Sequence, residues 1–269
     1  MNKNITIAGL GWLGQAFAAT LIHQKYRVKG SVTKAAKAQS LSTQGIEAYK
    51  IVLTEAGTVG ELPVLFKDTD VLAIMIPPGI RRNTGTNYAL KMAHFLHEIE
   101  ASEIEKVILV SSTAVYDDSQ GVVTEKNIPI PQLNASKQLY DVEQIFFNAP
   151  SFKCSIVRFG GLYGGNRNPV RFLAGRKDLH NGEAPVNLIH REDCIGILMA
   201  IIKQDAFGHI FNAVAPQHPT KKEYYTKQAV LLGLEPPDYD KHDEEVIFKQ
   251  IDSINVKAVL GYEYVHDLL

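Results

Sequence analysis

The sequence is poor in cysteine: Cys154 and Cys194 are its only two, far apart and without C-x-x-C spacing. That excludes a disulfide framework and a cysteine-built zinc site, and leaves both as inert core thiols. No metal is expected from the other residue types either. His94 and His97 stand at i, i+3 on one helical pattern with no third ligand apparent, an ordinary relation between neighbours on a helix. An excess of either charge is also missing: 28 basic residues face 29 acidic ones, so nothing favours a nucleic-acid backbone as partner. No apolar run approaches the roughly 18 residues that a membrane-spanning helix needs, and no basic segment with a cleavage site precedes the first strand. The expectation is a cytoplasmic protein with neither membrane nor nucleic acid among its partners, long enough for one large α/β domain or a domain with a small cap.

What is present begins at Ile5. A short apolar run enters Gly9-Leu-Gly11-Trp-Leu-Gly14, and Leu13, Phe17 and Leu21 then recur at helical spacing. Strand, G-x-G-x-x-G turn and helix are the parts of a dinucleotide site. Gly9 permits the turn, Gly11 lets the backbone approach a pyrophosphate, and Gly14 lets the helix pack closely on the sheet. The anion is expected at the helix N-terminus, beside Trp12 and Leu13, where unpaired N–H groups and the helix dipole favour negative charge.

The adenosine ribose should meet the end of the second strand. NAD sites usually place an acidic residue there, whereas NADP sites place cations and hydroxyls. Here the segment is Gly30-Ser31-Val32-Thr33-Lys34, and the first acidic residue after the glycines is Glu47. Ser31, Thr33 and Lys34 therefore point to NADP, with NAD as the alternative.

Strand-like and helix-like stretches alternate after that. The patterns predict strands over 26–32, 47–52, 70–76, 106–111, 154–159 and 209–213, with helices over 35–43, 88–100 and 134–147, one ending near 202, and one over 219–233. Such alternation predicts a Rossmann-type, doubly wound parallel sheet with ligands gathered at the strand C-termini. The ends of the first, fourth and fifth strands, at Gly9, Pro77 and Ser111, should converge. The fifth strand finishes in the hydroxyl cluster Ser111, Ser112 and Thr113, which can polarise a substrate oxygen, and Arg81 follows the Pro77-Pro78-Gly79 turn, placed for an anionic group. His190 and Asp193 fall at a strand-to-helix junction, where a structural role is expected.

Five segments in this order, the glycine turn, S-S-T-x-V-Y at 111–116, R-x-x-G-L-Y-G at 158–164, N-x-x-H-x-x-D at 187–193 and the late Leu260-Gly261-Tyr262, resemble the extended short-chain dehydrogenase/reductase superfamily, the NAD-dependent epimerase/dehydratase family. The resemblance spans nearly the whole chain. It implies a dinucleotide-binding domain over 1–160 and a small C-terminal α/β substrate lobe over 161–269, with 187–213 returning to the first domain, and a homodimer through helices. It implies a Ser/Thr, Tyr and Lys set that moves protons while the nicotinamide exchanges hydride. By spacing, Ser112 takes the Ser/Thr position, which holds the substrate oxygen. Lys137 takes that of the lysine at the nicotinamide ribose, while Ser111 and Pro77 border the cofactor and Thr113 and Asn187 border the substrate.

The family's tyrosine is absent: Leu133 stands four residues before Lys137, and none of the eleven tyrosines has a lysine four positions later. Tyr163 and Tyr140 are the candidates to replace it. The short segment 165–186 and the tail 214–269 leave little to cover a full nucleotide-sugar. The expected function is an NADP-dependent oxidoreductase or epimerase acting on a smaller hydroxyl- or carbonyl-bearing metabolite, sugar-derived ones among them. The alternative is a dinucleotide-binding regulator or redox sensor with reduced turnover.

Overall fold

The computed structural model describes residues 3–79, 86–240 and 246–268. Its first elements are β1 (Asn4–Ala8), α1 (Trp12–His23), β2 (Arg27–Val32), α2 (Ala35–Ser42) and β3 (Glu47–Lys50). A hairpin of β4 (Val52–Thr54) and β5 (Gly57–Val59) follows, then α3 (Leu62–Phe66), β6 (Val71–Ile74), α4 (Tyr88–Glu100) and β7 (Lys106–Ser112). The remaining elements are β8 (Gly121–Val123), α5 (Asn134–Phe147), β9 (Lys153–Phe159), β10 (Gly161–Tyr163), β11 (Leu188–His190), α6 (Arg191–Gln204), β12 (Ile210–Ala213), α7 (Lys221–Leu231), β13 (Lys249–Ile251) and α8 (Asn255–Ala258).

Seven strands form one parallel sheet in the order β12-β9-β7-β6-β1-β2-β3. Burial on both faces explains why the central strands read as unbroken apolar runs rather than alternating ones: Ile5 to Ala8 of β1 and Val71 to Ile74 of β6 are at most 1% exposed. The helices seal the faces with aromatic anchors, Phe17 from α1, Phe95 from α4 and Phe146 from α5, each worth about 1.5–3 kcal/mol of burial. Chain order reverses between β1 and β6, whose ends pair as Ala8 with Ile74. This is the switch point, where the strand C-termini leave a crevice.

Two compact units divide the chain. One comprises 1–112, 132–157 and 198–210; the other comprises 113–131, 158–197 and 211–269. Within the second, β10 pairs with β11 and β8 with β13, both parallel. Its core gathers Val170, Val186, Leu188, Ala215, Tyr224 and Leu268. Among the described residues, no helix is long and apolar enough to cross a membrane.

Candidate functional site

The three N-terminal glycines do three different things. Gly9 has φ +107°, and a Cβ there would lie 2.8 Å from the Met75 carbonyl oxygen, so only glycine makes this turn against the end of β6. At Gly14 a Cβ would lie 2.4 Å from the Gly9 carbonyl oxygen, which fixes how closely α1 rests on the turn. At Gly11 a Cβ would meet nothing within 4 Å. The missing side chain there leaves open space rather than relieving contact, as a backbone approached by a ligand requires. The turn is held from β2: the Gly9 N–H donates to Ser31 Oγ at 3.1 Å and the Leu10 N–H to the Ser31 carbonyl at 2.8 Å. Gly11 is the N-cap of α1, no side chain caps that helix, and no acidic residue occupies its first turn. A helix start with a glycine N-cap and no acidic residue in its first turn suits an anion.

In the first unit, a cavity of about 560 Å³ opens beside this turn. Gly9, Gly11, Ser31, Thr33 and Pro77 line it together, and Trp12, Leu13 and Gly14 open α1 next to it. Val52, Leu53, Met92 and Phe95 form apolar walls. Among the described residues of the lining, the charged ones are Lys37 and Lys91, and none is a carboxylate. Lys34 is exposed at the N-cap of α2 and outside the lining. Lys37, one turn further, lines the cavity, and its Nζ donates to the Leu10 carbonyl at 2.8 Å. Helical spacing from Lys34 was the sequence signal for it. The hairpin of β4 and β5 gave no such signal, yet it supplies a wall and steadies α4: Glu55 accepts the Asn87 N–H at 2.7 Å and, through its carbonyl, pairs with His94 Nε2 at 3.1 Å.

The hydroxyl and lysine positions lie elsewhere. Ser111 is not in the cavity lining; its Oγ donates to Glu143 Oε1 at 2.6 Å, both residues being buried between β7 and α5. Ser112 is half-buried at the end of β7, and Thr113 is buried at the start of the second unit. Lys137 is exposed in the first turn of α5, outside the lining, and its N–H bonds the Leu133 carbonyl at 2.9 Å. Leu133 occupies the N-cap of α5 and is 71% exposed. Arg81 lies outside the described residues. Tyr163 belongs to the second unit, where its ring meets His190 edge-on at 5.0 Å and its buried hydroxyl has no hydrogen-bond partner among the described residues. Burial, then the Asp193 and Asp267 carboxylates, push that hydroxyl up to about 12, away from the value a neutral-pH base needs.

The later sequence motifs bind one another inside the second unit. Arg158, 2% exposed, donates from Nη1 to the Tyr116 hydroxyl at 2.7 Å, and that hydroxyl donates to the Thr124 carbonyl at 3.0 Å. Asn187 donates from Nδ2 to the Lys249 carbonyl at 2.8 Å and accepts the Ile251 N–H at 2.9 Å, so both ends of its amide are engaged on β13. Asp193, 1% exposed, accepts from the Tyr262 hydroxyl at 2.9 Å, the Val265 N–H at 2.8 Å and the His266 N–H at 3.2 Å. The junction aspartate thus does hold N–H groups, but those of a distant C-terminal segment.

A parallel sheet with a G-x-G-x-x-G turn and an uncapped helix at its switch point defines a dinucleotide-binding α/β protein. The chain belongs to the NAD(P)H-binding family, whose model matches residues 9–205. It is 36% identical to Protein YeeZ of Escherichia coli strain K12, over 97% of this chain and 96% of that one. Among solved structures it is similar to MoeE5 in complex with UDP-glucose and NAD, at 18% identity and a TM-score of 0.79, covering 98% of this chain and 94% of the other. The UDP-glucuronic acid 4-epimerase of Bacillus cereus in complex with NAD gives 17% identity and 0.79, covering 98% and 92%. The UDP-glucose 4-epimerase of Thermotoga maritima gives 18% and 0.78, covering 98% and 94%. The fold is that of the short-chain dehydrogenase/reductase and NAD-dependent epimerase proteins.

Proposed function

We propose that the first-unit cavity binds NADP and that the chain uses it as an oxidoreductase or epimerase on a small hydroxyl- or carbonyl-bearing metabolite of the sugar-derived kind. The observation that carries the cofactor reading is the cavity's charge: Lys37 and Lys91 line it, and among its described lining residues no carboxylate is there to hold a ribose 2′-hydroxyl. The open space at Gly11 and the uncapped start of α1, with Trp12 and Leu13, receive the pyrophosphate. Ser31 orients the turn through Gly9, while Thr33 and Lys37, with Lys34 at the rim, meet the 2′-phosphate. Pro77 and the apolar walls exclude water from the adenosine. The nicotinamide supplies or accepts hydride.

Toward the substrate, Ser112 holds the reacting oxygen, Lys137 reaches the ribose, and Arg81 meets an anionic group. The relatives named above with NAD and UDP-sugars bound support this class of chemistry. Calorimetric titration with NADPH and NADH tests the cofactor: NADPH binds more tightly if the reading holds. Tighter NADH binding overturns the NADP preference, and no binding of either overturns the whole reading.

Leu133 favours a second reading, a dinucleotide-binding regulator or redox sensor. A leucine at the helix start has no proton to transfer where the family's tyrosine stands. Turnover decides between the two. If cofactor binds but no metabolite in a hydroxy- and keto-sugar panel changes nicotinamide absorbance, the sensor reading stands.

A further inference from the structure

The second unit holds a side-chain cluster that the cofactor reading does not use. His190 ends β11, Glu192 lies in the first turn of α6, and His266 belongs to the C-terminal segment. Each offers a ligand atom, and all three atoms lie within 4.8 Å of one another. His266 Nε2 meets Glu192 Oε2 at 2.7 Å, and the two imidazole rings face each other with centroids 3.7 Å apart at 42°. We propose that these three residues form a binding site for a divalent transition-metal ion of the zinc type, and that the ion staples the C-terminal segment to the start of α6.

Two imidazoles and a carboxylate are a donor set that zinc accepts, with ligand bonds of about 2.0–2.2 Å. A tetrahedral ion sets its ligand atoms roughly 3.3 Å apart, against the 4.8 Å within which these three lie, so the side chains must rearrange to close on it. The Glu192–His266 contact opens slightly and the stacked rings turn their nitrogens to a common point. Three protein ligands leave the remaining position to water.

The backbone holds these residues ready without the ion. Asp193 fixes the main chain at Val265 and His266 with two N–H bonds and anchors Tyr262 as well. His190 is seated from below: a Cβ at Gly164 would lie 2.2 Å from its Nε2, and Gly164 has φ +104°, so the ring takes space that glycine alone leaves. Its Nδ1 accepts the Glu192 N–H at 3.3 Å, so a metal bond from this nitrogen would replace that hydrogen bond. The carboxylates of Glu192 and Asp193 counter the positive end of α6, which would otherwise repel a cation. The site is independent of the dinucleotide cavity, which lies wholly in the other unit.

Titration of the full chain with Zn²⁺ alone, followed by calorimetry, tests the proposal. One equivalent should bind, and Glu192→Gln and His266→Ala should each weaken it at least tenfold. Absence of one-to-one binding overturns the site, and so does unchanged affinity in both variants, which would assign the ion to other histidines. Should a variant fold poorly, Co²⁺ gives a second readout on the unaltered protein: visible absorption bands of imidazole coordination together with slowed hydrogen exchange over 262–268. Bands without that slowing would remove the stapling role, and the absence of both signals would remove the site.

Discussion

Gly11 and Gly14 are three residues apart, and the structure separates what each contributes. An added methyl at Gly14 strikes the Gly9 carbonyl at 2.4 Å, so Gly14→Ala should destabilise the fold by about 1–3 kcal/mol, the usual range for overpacking. The same change at Gly11 meets open space. Gly11→Ala should cost under about 1 kcal/mol, as at other helix N-caps, while weakening dinucleotide binding severalfold. Urea unfolding beside a cofactor titration checks both, and equal stability losses would mean that Gly11 serves packing rather than a ligand. Lys37→Met keeps the apolar stem and removes the charge. It should weaken NADPH roughly 10- to 100-fold, the worth of a hydrogen bond to a charged group, and leave NADH nearly unchanged; a parallel loss for both cofactors would remove Lys37 from the 2′-phosphate. At Tyr163 the burial that pushes its hydroxyl up to about 12 keeps it protonated across the neutral range. A difference titration of the protein against Tyr163→Phe should therefore lose a phenol that ionises only in strong alkali, and one lost below pH 10 would revive Tyr163 as a base.

At the level of elements, the segment from 187 to 193 acts as a fastener. Asn187 grips β13 by both ends of its amide, and Asp193 grips the chain around Tyr262 and His266. Tyr262→Phe removes one hydrogen bond to a buried carboxylate and should cost about 1.5–3 kcal/mol. Asp193→Ala leaves three donors unpaired and should cost more, with early proteolytic cleavage after residue 260; indifference of Tyr262→Phe to denaturant would make this contact incidental. The sequence foretold elements whose signal is local. The helices Tyr88–Glu100 and Asn134–Phe147 and the strand-turn-helix at Gly9 follow from apolar period and glycine spacing. It was silent where the deciding partner is remote. The hairpin of β4 and β5 is too short to show a period, and the strand expected over 47–52 takes in β3 and only the first residue of β4. Ser111 reads as a site hydroxyl because it ends a central strand, yet its partner Glu143 lies on a helix 32 residues away. Lys34 and Lys37 are both cations after β2, and only the direction of α2 tells which of them faces the cavity.

For the molecule as a whole, the cavity lies within one unit, and this predicts where a ligand's stabilisation appears. NADPH at a hundred times its dissociation constant should stabilise the chain by about 2.7 kcal/mol. Hydrogen-exchange protection should centre on the segments around Gly9, Ser31, Leu53 and Phe95. Protection centred on 184–230 instead would move the cofactor out of this cavity. The units are also interleaved along the chain, each assembled from three separate segments. The buried carboxylate of Asp193 reaches its hydroxyl partner 69 positions downstream. At the ribosome's pace of about 5–20 residues per second, roughly 3–14 seconds pass between the synthesis of the two. Throughout that interval Asp193 lacks the partners that satisfy it in the fold, so the second unit emerges with its latch unset, and this window is when a nascent chain would most need a chaperone.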